Sequence, residues 1–190
     1  MKNRIVVTTV ILLFAAPLLV AVILNSRWVD WEPEPRRAHG QLFRPALALP
    51  AFSVKDHSGT HRTREDLTGR WQLIVSVPFA CTADCVALAR LAHNIRLAQD
   101  RHALKVGLLL ISSERLDPAT AQTIADMDAH WMIFHGNDGA ALLSHLPDSG
   151  TGAFYILDPD ANIIERFDLD ADPTGIRKDL DRLLTWSRRD

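Results

Sequence analysis

Cysteine is scarce: the 190-residue chain has two, Cys81 and Cys85. Two thiols fall short of the four ligands that a closed tetrahedral zinc site needs. His93 would lie ~80° around a helix from Cys85 and ~120° from Cys81, so it completes no face. An excess of positive charge is missing too. Lys and Arg number 21 against 23 Asp and Glu, for a formal net charge of −2. The cations are scattered, so no nucleic-acid partner is expected. Internal repeats and low-complexity tracts are absent, which leaves an ordinary domain and whatever attaches it.

Charge is absent altogether from Ile5 to Leu24. A run of this length matches the ~20 residues that cross a bilayer as a helix. Pro17 is tolerated in such a helix. Met1-Lys2-Asn3-Arg4 is short and basic, and Trp28 and Trp31 follow the run, as aromatic residues do at a membrane–water interface. The positive end puts the N-terminus in the cytoplasm. A cleaved signal would have an apolar core of ~7–15 residues ending in an A-x-A-like site, and Leu24-Asn25-Ser26-Arg27 is a poor one. Residues 1–24 therefore read as a single-pass anchor. Residues 25–48, with Glu32-Pro33-Glu34-Pro35-Arg36-Arg37, read as a stalk, and 49–190 as one domain. That domain lies across the membrane, where disulfides form and persist.

Within the domain, Phe52-Ser53-Val54 alternates like a short strand, and Asp56 to Thr60 turns. Gln72 to Phe79 and Val106 to Ile111 are apolar runs of the kind buried on both faces. Between them a helix is expected from Ala83 to about Arg101, with Cys81, Cys85, Leu88, Ala92 and Ile95 on one stripe. Asp117-Pro118 opens a second helix, Trp131 to Phe134 is a third strand, and a short helix follows to about His145. Ala153 to Leu157 and Ile163 to Phe167 flank Asp158-Pro159-Asp160-Ala161-Asn162 as a hairpin, and Pro173 starts the last helix. This order predicts an α/β fold: a mostly parallel central sheet with helices on both faces and a hairpin at one side.

The cysteines stand as Cys81-Thr82-Ala83-Asp84-Cys85, directly after the first buried strand. On a helix, residues four apart share a face with Cα atoms ~6 Å apart, which permits a disulfide. The same spacing suits a two-thiolate clamp on a soft ion such as Cu(I). A helix start stabilises thiolate, and Asp84 opposes that. The alternatives are a structural disulfide and a pair of small buried hydrophobes.

The strand order and the placement of the pair resemble the thioredoxin fold. The C-x-x-x-C placement, Leu67-Thr68-Gly69-Arg70, Ile111-Ser112-Ser113-Glu114-Arg115-Leu116-Asp117-Pro118, Phe134-His135-Gly136 and Tyr155-Ile156-Leu157-Asp158-Pro159 resemble the Sco/SenC group. Those are membrane-anchored thioredoxin-like proteins that help to assemble the copper centre of cytochrome c oxidase. The resemblance implies an inner-membrane protein with a periplasmic domain. It implies Cu(I) as a bound ion, Cys81 and Cys85 as thiol-exchange and metal-binding residues, and an oxidase subunit or another copper-assembly protein as partner. The family's third copper ligand, a histidine just before the hairpin, is not matched: the position holds Gly150, in Ser149-Gly150-Thr151-Gly152. His145 and His135 are the candidates to replace it, and the other histidines are expected on the solvated surface. The proline that precedes the hairpin in ordinary thioredoxin-like reductases is also absent. A general thiol–disulfide oxidoreductase, with Cys81 attacking and Cys85 resolving, and a non-catalytic assembly scaffold remain as alternatives.

Overall fold

The computed structural model describes residues 12–16, 38–81 and 83–186. Of the expected anchor, residues 12–16 are helical and the rest lies outside the described residues, as do residues 25–37 of the expected stalk. Among the described residues no helix is long and apolar enough to cross a membrane. Ala38–Asp190 forms one compact unit.

Eight strands and four α-helices build that unit. They run β1 (Gln41–Ala48), β2 (Ser53–Lys55), β3 (His61–Thr63), β4 (Trp71–Val77), α1 (Ala83–Leu97), β5 (Val106–Ser112), α2 (Pro118–Ala125), β6 (Trp131–Phe134), α3 (Gly136–Leu143), β7 (Ala153–Leu157), β8 (Asn162–Asp168) and α4 (Pro173–Trp186). The main sheet has the order β1-β8-β7-β4-β5-β6. Strands β4, β5 and β6 are parallel, while β7 is antiparallel to β4, β8 to β7 and β1 to β8. Every residue of β4, β5 and β7 is buried, as continuous apolar strands between two helical layers must be.

The period of two sorts these side chains into two cores. Leu73, Val75 and Val77 join Leu108, Leu110, Phe154 and Ile156 beneath α1, α2 and α4. Ile74, Leu109, Ile111, Tyr155 and Leu157 pack with Leu142 and Leu143 of α3 on the other face. Helices therefore cover both faces of a mixed, thioredoxin-like sheet.

Residues 41–48, read from sequence as stalk, are strand β1, antiparallel to β8 with an irregularity between Leu42 and Leu47 around Pro45. The strand is almost wholly exposed, so it carries no hydrophobic alternation to announce it. Just ahead of it, His39 donates its backbone N–H to Asp179 Oδ2 at 2.6 Å and sets its ring Nδ1 3.1 Å from the same oxygen. Gly40 N–H donates to Glu165 Oε1 at 3.2 Å, and Arg182 Nη2 lies 2.9 Å from Asp179 Oδ1. The start of the domain is thus fastened into the seam between β8 and α4.

The helix after β4 is shorter than its sequence period suggests. It ends at Leu97, and a 3-10 stretch, Asp100–Lys105, leads into β5. Its buried stripe is Cys85, Ala89, Ala92, Ile95 and Arg96, with Leu88 only partly buried. Arg96 reaches Val106 O at 2.8 Å and Asp128 Oδ2 at 2.5 Å. His93 and His130 set their Nδ1 atoms 3.2 and 2.6 Å from the Asp128 carboxylate. His93 and His130 therefore sit half-buried against Asp128, and His102 is buried, which departs from the expected solvated surface. His39, His57 and His61 are exposed, as expected.

Candidate functional site

Strand β4 ends at Val77 because Pro78 has no N–H to offer the ladder. The expected strand was longer, to Phe79. Instead Phe79 leaves the sheet with 42 % of its surface exposed. Two residues later the chain reaches Cys81, which is half-buried against the α1-side core. Cys85, on the first turn of α1, is fully buried. The two sulfurs are joined in a disulfide with Cα atoms 5.0 Å apart, inside the range that such bonds occupy. Asp84, between them in sequence, is exposed. The structure brings the two cysteines together as one group, Cys81 partly buried and Cys85 fully buried.

Beside Pro78 runs the segment that leads into β7. Ser76 and Ala153 are paired across the strands, and the Ser76 hydroxyl receives Ala153 N–H at 2.8 Å and donates to Ala153 O at 3.1 Å. At Gly152 the backbone has φ +77° and ψ 149°, a region open essentially to glycine alone. A Cβ there would meet Leu169 Cδ1 at 2.8 Å, Ser76 O at 3.0 Å and Pro78 Cδ at 3.2 Å. Gly150 differs: it lies in the 3-10 turn Ser149–Thr151 with open space around it.

That turn holds its shape without a histidine. Arg166 Nη2 reaches Thr151 Oγ1 at 3.3 Å and Asp148 O at 3.4 Å, while its Nη1 pairs with Asp168 Oδ1 at 2.7 Å. Tyr155 donates its hydroxyl to Pro147 O at 2.6 Å, and Ser149 donates to Leu143 O at 3.0 Å. Burial raises the Tyr155 hydroxyl pKa despite the opposing pull of Arg166, so Tyr155 stays a neutral donor. Sequence reasoning missed Ser76 and Arg166, since each acts on a residue far along the chain.

Neither replacement histidine joins the pair. Among the described residues no three His, Cys, Asp or Glu side chains gather to hold a metal ion. His145 follows α3, which packs on the face of the sheet opposite α1. His135 follows β6 and lines a separate cleft. The site can therefore do two things. Oxidised, it can accept two electrons and two protons from a dithiol. Reduced, it can present two thiolates on one side of a helix start, a donor set that fits Cu(I).

No curated protein matches the sequence. Solved structures match the fold. A copper-bound ScoI from Bradyrhizobium japonicum is 22% identical, with a TM-score of 0.54 over 72% of this chain and 99% of that one. BsSco, described as a Sco-family cytochrome c oxidase assembly protein with a disulfide switch, is 14% identical, with a TM-score of 0.57 over 76% and 98%. The thioredoxin domain of a thiol-disulfide oxidoreductase from Bacteroides vulgatus is 12% identical, with a TM-score of 0.53 over 73% and 96%. At these identities the likeness is one of fold. The sequence pattern of one family, by contrast, spans residues 71–187, from the first residue of β4 to just beyond α4. The chain belongs to that family, the transmembrane-like, thioredoxin-like C-terminal domain proteins.

Proposed function

We propose that this protein is a membrane-anchored, Sco-like factor of the periplasm that supports assembly of the copper centre of cytochrome c oxidase through Cys81 and Cys85. The observation that carries the reading is the Cys81–Cys85 disulfide between the central strand and α1, with Cys85 fully buried and Cys81 only partly so, beside an exposed Phe79. The copper-bound and oxidase-assembly neighbours of the same fold support the connection.

In its reduced form the pair acts on a partner disulfide. The Cys81 thiolate attacks one partner sulfur and displaces the other. Cys85 then attacks Cys81 of the mixed disulfide, which releases a partner dithiol and closes the Cys81–Cys85 bond. Two electrons pass to the partner, and a membrane dithiol donor must return them. Cu(I), as cargo, binds only the reduced pair, because a disulfide has no thiolate. Copper handling and the closed bridge therefore exclude each other.

A second reading, a general membrane-tethered thiol–disulfide oxidoreductase, is favoured by the loop at Ser149–Thr151. Arg166 and Tyr155 hold that loop with glycine where the resemblance puts a copper ligand. One experiment separates the two. The reduced full-length chain is titrated anaerobically with Cu(I) against a competing chelator, beside Cys81→Ser and Cys85→Ser. Tight one-to-one binding lost in both variants supports the copper role. Failure to compete with the chelator retires copper and leaves thiol exchange. Normal oxidase assembly in cells carrying both Ser substitutions would overturn both readings and leave a scaffold.

A further inference from the structure

A second site lies at the same end of the sheet, outside the carboxyl ends of β5 and β6. There Lys55, His57 and Gly59 of the β2–β3 hairpin, Arg115 after β5, and His135 to Asp138 at the start of α3 enclose a cleft of about 420 Å³. This is the size class of small-molecule sites. The place is also the usual one for a ligand in an open α/β sheet, where the chain crosses from one face to the other. Here α2 packs on one face and α3 on the opposite one.

The groups in the cleft favour negative charge. His135 is the N-cap of α3 but makes no side-chain capping bond; Gly136 N–H donates to Glu114 O at 3.2 Å, and the positive end of the helix dipole lies at the cleft. Lys55 and Arg115 have no ion-pair partner among the described residues. The His135 ring lines the cleft, with its Nδ1 buried and without a hydrogen bond. Burial, with Arg115 and His57 adding to it and Asp138 opposing, holds the His135 ring below the usual histidine pKa. Two carboxylates line the cleft as well. Asp56 is consumed by Ser58, Thr60 and Arg62. Asp138 accepts the backbone N–H of Lys55 at 3.1 Å.

We propose that this cleft binds a small oxyanion, a carboxylate or phosphate group, between Arg115, Lys55 and the first turn of α3, beside the His135 ring. Nothing in this site depends on Cys81 or Cys85, so its fate is separate from that of the proposed thiol chemistry. The test uses the full-length chain in a maltoside detergent with carbon-labelled histidines. Inorganic phosphate and sodium acetate are titrated separately at constant ionic strength. Binding predicts saturable shifts at His135 and His57, quiet signals at His93 and His130, and a rise in the His135 pKa, because a bound anion favours the imidazolium. Arg115 is exposed and unpaired, so Arg115→Gln should fold. It should weaken binding about 10-fold or more, the worth of a charged hydrogen bond, and Lys55→Gln should act the same way. Saturation by one anion alone supports the site and assigns its class. No saturable shift with either anion, or equal affinity in both variants, overturns the proposal.

Discussion

Cys81 and Cys85 differ in access, and that difference sets an order of events. With Cys85→Ser, the half-exposed Cys81 can still attack a partner disulfide but nothing resolves the product. The variant should accumulate a mixed disulfide on non-reducing gels, and mass spectrometry should place it on Cys81. Cys81→Ser should not, because its remaining thiol is buried. Equal trapping by both variants would overturn the assigned roles. At Gly152 the left-handed backbone and the Ser76 and Pro78 contacts leave no room for a methyl group. Gly152→Ala should cost about 1–3 kcal/mol, read as a lower urea midpoint at unchanged m-value.

Glu165 gives a pH signature. Burial, with the Asp179 carboxylate adding to it, pushes its pKa up from 4.5 to about 7. The folded state thus holds a proton that the unfolded chain releases. The stability this group contributes is fully present below 4.5 and lost as pH rises through about 7. Glu165→Gln keeps the shape and removes the titration. It should be more stable than the parent at pH 8, by on the order of 2 kcal/mol, with little gain at acid pH. Parallel pH profiles for parent and variant would rule this out.

Among the elements, α1 is pinned at both ends. The disulfide holds its start, and near its other end Arg96 joins it to Asp128, ahead of β6. Burial raises the Asp128 pKa, but the His130 and Arg96 contacts outweigh it and the net shift is downward. That stability is present above the unfolded value of 3.8 and is lost as pH falls through the lower folded value. Asp128→Asn leaves a buried guanidinium without its counter-ion. A cost of about 3 kcal/mol is expected, measured by urea unfolding at neutral pH, with a weaker dependence on acid than in the parent. The strands show how far such elements can be read from sequence. β4, β5 and β7 are legible because burial on both faces forces unbroken apolar runs, and β8 through the turn of Asp, Pro and Asn that joins it to β7. β1 is not, since an exposed edge strand interrupted by Pro45 obeys no burial period. The thiol pair is legible through its spacing after β4. The Arg166 and Tyr155 contacts that shape the neighbouring turn are not, because they join residues that only the tertiary fold brings together.

For the whole molecule, the proposed orientation has a direct test. Alkaline phosphatase fused after Asp190 should be active if the domain lies in the periplasm, and protease added to spheroplasts should digest the domain. A silent fusion with a protected domain would reverse the topology.

A sheet that ends in bare strands invites a second copy to pair with it. Here one margin is β1, broken by Pro45, which has no N–H to donate. The other is β6, only four residues long, where Ile133 O already accepts His57 N–H at 2.8 Å. Neither margin offers a neighbour a continuous ladder. Crowded copies of the domain should therefore resist edge-to-edge aggregation, because neither margin can extend the sheet from one copy into the next.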